Sequence, residues 1–211
     1  MIETATGLIV RTRPLTDTSL IVHWLTPDLG RLATVAKGAR RPKSPFAGKL
    51  DLFYRADFSF QRSRRSELHT LREVSLKETN AGLRQELGYL QQASYAAALI
   101  EQTTEMETPL PEIFSLLADF LKNLTRQPPK PQTLFAFEIK LLSELGLQPD
   151  LEKDRLGPDI KQLLRIFLVS DWPVLGRLKL SDHQVVELRR FLHAFLVYHL
   201  GKIPMTRSRL P

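Results

Sequence analysis

The periodicity of the chain changes once, near Thr79, and that change governs what it can fold into. Before it, apolar side chains recur at every second position; after it they recur at every third and fourth. Leu50–Gln61 alternates most cleanly. Leu52, Tyr54, Ala56, Phe58 and Phe60 share one face, and Arg55, Asp57, Ser59 and Gln61 take the other with Phe53. A helix would scatter these residues around its circumference, whereas a strand sorts them. Thr4–Arg13 also reads as a strand, with Leu8, Val10 and Thr12 opposing Ile9, Arg11 and Arg13, and so do Thr18–Thr26, Arg31–Ala36 and Glu67–Leu76. Turn signals at Pro14-Leu15-Thr16-Asp17 and Pro27-Asp28-Leu29-Gly30 and a basic tip at Arg62-Ser63-Arg64-Arg65 separate several of them. Five short strands in about 80 residues predict a small closed or partly open barrel, of which the OB-fold is the best-known form; an immunoglobulin-type sandwich needs about seven strands.

Past Thr79 the pattern is helical. Ala81–Met106 forms one helix that Gly88 can divide, and Thr108-Pro109 opens a second with Ile113, Phe114, Leu117, Phe120, Leu121 and Leu124 on one face. Gln127-Pro128-Pro129-Lys130-Pro131 stops it, Thr133–Leu145 follows up to Gly146, and Ile160–Val169 reads as a buried helix. Ser181 and Gln184 form a capping box for a last helix that Gly201 ends. The fold class expected is α+β: a five-stranded OB barrel over residues 1–78, then an all-α domain over 79–211.

The net charge of +7 is unevenly spread. Residues 1–80 carry 14 Lys/Arg against 8 Asp/Glu, and residues 31–65 carry 10 against 2. Such an excess suits an anionic partner. Its densest part is the loop Ala36-Lys37-Gly38-Ala39-Arg40-Arg41-Pro42-Lys43-Ser44-Pro45, which holds four cations and no acid. Arg31, Lys37, Arg40, Arg41, Lys43 and Lys49, with the tip residues Arg62, Arg64 and Arg65, would form one phosphate-binding cluster on the barrel. Single-strand binders pair such cations with aromatic rings on which bases stack. Phe46 is the first choice for that role, followed by Phe53 and by Trp24, which reads equally as a core residue.

Signatures of catalysis are missing. The chain has no Gly-rich phosphate loop ending in Lys-Ser/Thr, no G-x-G-x-x-G and no G-x-S-x-G. Its five histidines include no H-E-x-x-H arrangement, and with no cysteine there is neither a disulfide nor a thiolate metal site. No catalytic residue, metal or cofactor is expected. Neither a secretory leader nor an apolar run of the ~20 residues a membrane span needs can be read, so a cytoplasmic chain without membrane contact is expected.

Several ordered segments resemble the bacterial RecO family of recombination mediators. They are Gly7-Leu8-Ile9-Val10, Asp17-Thr18-Ser19-Leu20-Ile21-Val22, Leu25-Thr26-Pro27-Asp28-Leu29-Gly30 and Val35-Ala36-Lys37-Gly38-Ala39-Arg40-Arg41-Pro42-Lys43-Ser44. Leu68-His69-Thr70-Leu71-Arg72-Glu73, Phe137-Glu138-Ile139-Lys140-Leu141-Leu142 and Leu145-Gly146-Leu147-Gln148-Pro149-Asp150-Leu151 continue the likeness. The resemblance implies an OB-fold followed by a helical domain that makes DNA and partner-protein contacts. It also implies binding of single- and double-stranded DNA, annealing of complementary strands, and loading of a recombinase onto strands coated by single-strand-binding protein. The partners implied are the RecR protein and the acidic C-terminal tail of single-strand-binding protein, in a bacterial, nucleoid-associated setting. Holding that tail would take an apolar groove edged by cations, for which Lys122, Arg126 and Lys140 stand as guesses. Many members carry a four-cysteine zinc cluster after the Leu-Gly-x-x-Pro-Asp-Leu segment. Here Glu152–Asp159 has no cysteine and is short, so no zinc is expected and the loop should be collapsed by packing of Ile160–Val169. Asp17 stands where the family usually has Glu. The competing reading is an OB-fold RNA-binding protein on a helical scaffold.

Overall fold

In the computed structural model, which describes residues 1–151, 156–204 and 207, the alternating segments close on themselves. Strands β1 (Ile2–Pro14), β2 (Leu20–Thr26), β3 (Gly30–Ala36), β4 (Arg55–Gln61) and β5 (Leu68–Glu78) form a closed barrel in the order β1-β2-β3-β5-β4. The long β1 serves two neighbours, pairing with β4 along Ile2–Leu8 and with β2 along Leu8–Pro14. Only β3 and β5 run parallel, with Ala33 opposite Leu68 and Val35 opposite Thr70. This is the OB-fold expected from the sequence.

The barrel interior is filled by Ile9, Val22, Trp24, Leu32, Phe58 and Phe60. Trp24 stacks on Phe58 with ring centroids 4.0 Å apart, and its Nε1–H donates to Thr34 Oγ1 at 2.9 Å, so a fully buried indole leaves no polar atom unpaired. A bulge interrupts the β1–β2 pairing between Ile9 and Arg11. An inserted residue switches which face successive side chains take. Ile9, opposite Trp24, packs inside, while Arg11, opposite His23, and Arg13, opposite Ile21, are exposed.

The stretch before β4 departs from the expected alternation. Pairing starts at Arg55, and Phe53 adopts a left-handed backbone with φ 64°. Its N–H donates to the Ile9 carbonyl at 2.7 Å, and its own carbonyl accepts from Asn80 Nδ2 at 2.7 Å. That reversal buries Phe53 to 1% exposure and leaves Leu52 half-exposed, so the core residue here is Phe53 and not Leu52.

A single 3-10 turn over Ala81–Arg84 leads to α1 (Leu87–Thr103), α2 (Pro111–Leu124), α3 (Pro131–Glu144), α4 (Pro158–Val169), α5 (Trp172–Leu175) and α6 (Asp182–Leu200). The break expected at Gly88 comes just ahead of it, at Gln85-Glu86, and the four-residue α5 was not legible as a helix. The capping box of α6 is present: Ser181 Oγ accepts from the Gln184 N–H at 3.3 Å, and Gln184 Oε1 accepts from the Ser181 N–H at 3.0 Å. Among the described residues, no helix is long and apolar enough to cross a membrane.

The chain divides into two compact units, one of Met1–Ala81 with Thr104–Ser115 and one of Gly82–Thr103 with Leu116–Pro211. Thr104–Ser115 thus belongs with the barrel. Met106 makes a parallel bridge to Arg31, the Glu107 N–H donates to the Arg31 carbonyl at 2.9 Å, and the Leu110 N–H donates to the Pro27 carbonyl at 3.0 Å. In the helical unit α3 is central, touching α1, α4, α5 and α6, and Leu134, Phe135, Phe137, Ile139, Leu141 and Leu142 are all buried along it. A helix apolar on every side belongs in a core.

Glu138 interrupts that apolar helix at 0% exposure. Arg207 grips it bidentately, Nε to Oε1 at 2.7 Å and Nη2 to Oε2 at 2.9 Å, and the Tyr95 hydroxyl donates to Oε1 at 2.6 Å. Burial, and then the adjacent Glu138 charge, push the Tyr95 hydroxyl above its usual range, which keeps it a donor. Burial works against the charge on Arg207, and the hydrogen bonds to Glu138 together with the Glu138 charge more than offset it. Residues 152–155, which belong to the loop expected to be collapsed, lie outside the described residues.

Candidate nucleic-acid interface

The basic loop leaves the end of β3 as a ladder of tight turns. The Ala39, Arg41, Ser44, Ala47 and Lys49 N–H groups each donate three residues back, to Ala36, Gly38, Arg41, Ser44 and Phe46, at 3.0–3.3 Å. Gly38 supplies the left-handed backbone that one of these turns requires, with φ 70°. The loop is pinned to the β1–β2 turn by the Arg40 N–H, which donates to the Thr18 carbonyl at 3.0 Å, and by Arg40 Nη1, which reaches the Thr16 carbonyl at 3.3 Å. Lys37, Arg40, Arg41 and Lys43 are exposed on this frame, Lys49 is half-buried beside it, and no carboxylate lies between Lys37 and Lys49.

Phe46 is corrected by the structure. At 6% exposure it packs inside the barrel, with its ring among the residues that surround Trp24 and Phe58. Trp24 and Phe53 are buried at 0% and 1%. None of the three rings is open to a base. The barrel interior takes Trp24 and Phe46, because a small barrel needs large side chains to fill it.

The two basic segments do not form one cluster. Parallel pairing of β3 with β5 sends the loop after Ala36 off one end of these strands, whereas the tip precedes Leu68 at the other. At the tip, Arg64 and Arg65 are exposed. Arg62 is engaged: Nε and Nη2 bind the two Glu3 oxygens at 2.7 and 2.9 Å, and Nη1 binds Glu107. The Arg62 hydrogen bond holds Glu3 below the usual carboxylate range, and the same bond holds the guanidinium more firmly protonated. Glu107 also takes His69 Nε2 at 2.9 Å, and His69 Nδ1 accepts the Ser63 N–H at 3.2 Å. This chain of contacts shapes the tip. Arg31 is half-buried and donates to the Thr104 carbonyl, a contact within the barrel unit. Among the guessed helical cations, Lys140 is half-buried, with Nζ on the Leu168 carbonyl at 2.8 Å, and burial lowers its affinity for a proton. It holds α3 to α4.

Two cations were missed. Arg11 and Arg13 are exposed on the outer side of β1, and they flank His23. The sequence places them on the face of Ile9, and only the bulge separates them from it. Burial first, then Arg13, Arg11 and Arg31, push the His23 imidazole down to about 4 from its ordinary 6.5. Between those values the unfolded chain holds the extra proton, so this group's contribution to stability is complete above pH 6.5 and is lost as pH falls toward 4. Because His23 is half-exposed, solvent screens the effect and the loss is modest. The melting temperature of the wild-type chain should fall more steeply across this window than that of His23→Gln; parallel profiles would refute the assignment.

The family model for the N-terminal part of recombination protein O matches residues 1–80, and that for its C-terminal part matches residues 84–157. A Bacillus subtilis protein named DNA repair protein RecO is 25% identical, over 95% of this chain and 91% of its own length. A namesake from Bacillus pumilus is 29% identical over 95% of this chain and 90% of its own length. One from Anaeromyxobacter sp. strain K is 33% identical over 70% of this chain, and the match spans 58% of that protein.

Proposed function

The chain belongs to the recombination protein O family, and from that premise we propose that it is a DNA repair and recombination mediator that works by binding rather than by turnover. It holds single- and double-stranded DNA, brings complementary strands together, and helps place a recombinase on strands coated by single-strand-binding protein. RecR and the acidic tail of single-strand-binding protein are its protein partners, and the nucleoid is its place of work.

One observation supports this most: an OB barrel carries, at one end, a hydrogen-bonded loop with Lys37, Arg40, Arg41 and Lys43 exposed and no carboxylate among them. A pinned loop presents its charges at little cost in loop ordering on binding. With the three rings buried, contact is through phosphates, with Lys49, Arg64, Arg65, Arg13 and Arg11 extending the charged surface. Arg31, Arg62 and Phe46 act by keeping the barrel and its tip in shape. Annealing of complementary labelled strands should be faster with the protein than without it, and should slow as salt rises. Equal rates with and without protein, or binding of a matched RNA much tighter than DNA, would overturn the mediator reading in favour of an RNA-binding module.

A further inference from the structure

We propose that Arg62 and His69, at the root of the basic tip, form a site for one phosphate of a nucleic-acid strand, and that the Glu107 carboxylate fills this site until a strand arrives. The inference rests on the reading that the chain holds DNA, and it adds to that reading a site and a built-in competitor. Glu107 lies outside the barrel strands, in the irregular segment after α1, 45 positions from Arg62. Its Oε1 accepts from His69 Nε2 at 2.9 Å, and its Oε2 accepts from Arg62 Nη1. Donors from two residues thus converge on an anion that offers two oxygens. The two non-bridging oxygens of a phosphodiester offer the same pattern to charge-assisted donors.

Neither donor relies on Glu107 for its place. Glu3 holds the guanidinium through Nε and Nη2, which leaves Nη1 for another acceptor. His69 Nδ1 accepts the Ser63 N–H, so the ring proton sits on Nε2. The imidazole stacks on Phe60 with centroids 5.3 Å apart, and the Arg62 guanidinium carbon lies 5.7 Å from the centre of the same ring. His69 is buried, so its N–H calls for an acceptor whichever anion supplies one. The present occupant is placed to leave. The Glu107 side chain is one-third exposed, and its N–H is tied to the Arg31 carbonyl at 2.9 Å, so the carboxylate can swing out while the segment stays. Its backbone is left-handed, with φ 55°, a conformation that costs any residue but glycine and that gathers at ligand clamps and switches. One guanidinium also faces two carboxylates here, an excess of negative charge within a tip that is otherwise basic. A phosphate in place of Glu107 keeps that balance and gains the attraction of Arg64 and Arg65, both exposed beside it.

The test uses the full-length chain and a fluorescein-labelled oligothymidylate, followed by anisotropy over a series of salt concentrations. Glu107→Gln keeps the side-chain shape and can still accept from His69, but it no longer competes as an anion. It should bind the oligonucleotide about threefold tighter or more, because a blocked site lowers apparent affinity by the fraction blocked. The slope of log K against log salt should steepen by about 0.7, the effect of one added phosphate contact on a single strand. Glu67→Gln makes the same change of charge at an exposed position of the tip, and should give a smaller gain with an unchanged slope. Adding Arg62→Gln to Glu107→Gln should abolish the gain. In the wild-type chain, with no substitution, the His69 imidazole resonances should shift when the oligonucleotide is added. Binding by Glu107→Gln equal to or weaker than wild type, a gain matched by Glu67→Gln, a gain that survives Arg62→Gln, or unmoved His69 resonances would overturn the site. Release of the oligonucleotide by an equal concentration of inorganic phosphate would overturn the strand as its ligand. A wild-type chain that bound no oligonucleotide at any salt concentration would instead count against the DNA reading itself.

Discussion

Replacing Arg207 with alanine should lower the stability of the helical unit by about 3–5 kcal/mol, the usual cost of stranding one member of a buried ion pair. Glu138 sits in the middle of α3 at 0% exposure and cannot swing out to water. Without the guanidinium its one remaining hydrogen bond among the described residues is from the Tyr95 hydroxyl. Glu138→Ala should cost less than Arg207→Ala, because the guanidinium left behind keeps the Arg189 carbonyl, which its Nη1 reaches at 3.5 Å. The double change Glu138→Leu/Arg207→Met removes the charges together, and should recover much of the loss, since a packed apolar replacement of a buried pair is often neutral. Urea unfolding of wild type, Glu138→Leu, Arg207→Met and the double variant closes the cycle. Additive losses in the double variant would mean that the pair is not coupled.

The largest functional effect is expected from Arg40→Ala/Arg41→Ala/Lys43→Ala. Losing three phosphate contacts should flatten the slope of log K against log salt by about 2 for a single strand. Thermal stability should barely move, because Arg41 and Lys43 are exposed and Arg40 makes only one long side-chain contact to the Thr16 carbonyl. A wild-type salt slope in the variant would take the loop out of the interface. A large fall in melting temperature would make the loop's role structural instead.

The barrel was legible because period-two alternation and turn residues are local signals, and both survive in β1–β5. The register was less so. The bulge between Ile9 and Arg11 depends on which strand lies opposite, so the outward turn of Arg11 and Arg13 has no mark in the linear sequence. Parallel closure of β3 onto β5 is likewise a long-range event, and it separated two basic segments that composition alone would merge. Phe46 and Phe53 were misplaced, and Trp24 could be read either way, for a related reason: a buried aromatic residue looks, in sequence, like one that greets a base. Arg207 reads as part of a basic tail, and its partner Glu138 lies 69 positions earlier. Only the tertiary fold could bring them together. The helix cap at Ser181 was readable in full, because its partner is three residues away.

The return of Thr104–Ser115 to the barrel bears on the order in which the protein can mature on the ribosome. Chains fold as they emerge, N-terminal parts first. Yet here the bridge from Met106 to Arg31, and the carboxylate of Glu107 that joins Arg62 and His69, arrive only after α1 has been synthesised. The strands can close early, but the basic tip waits for a clasp encoded some forty residues downstream of it. A nascent chain stopped between β5 and Thr104 would therefore hold a barrel with an unfastened tip, and a gene cut there would not yield a faithful copy of the N-terminal module.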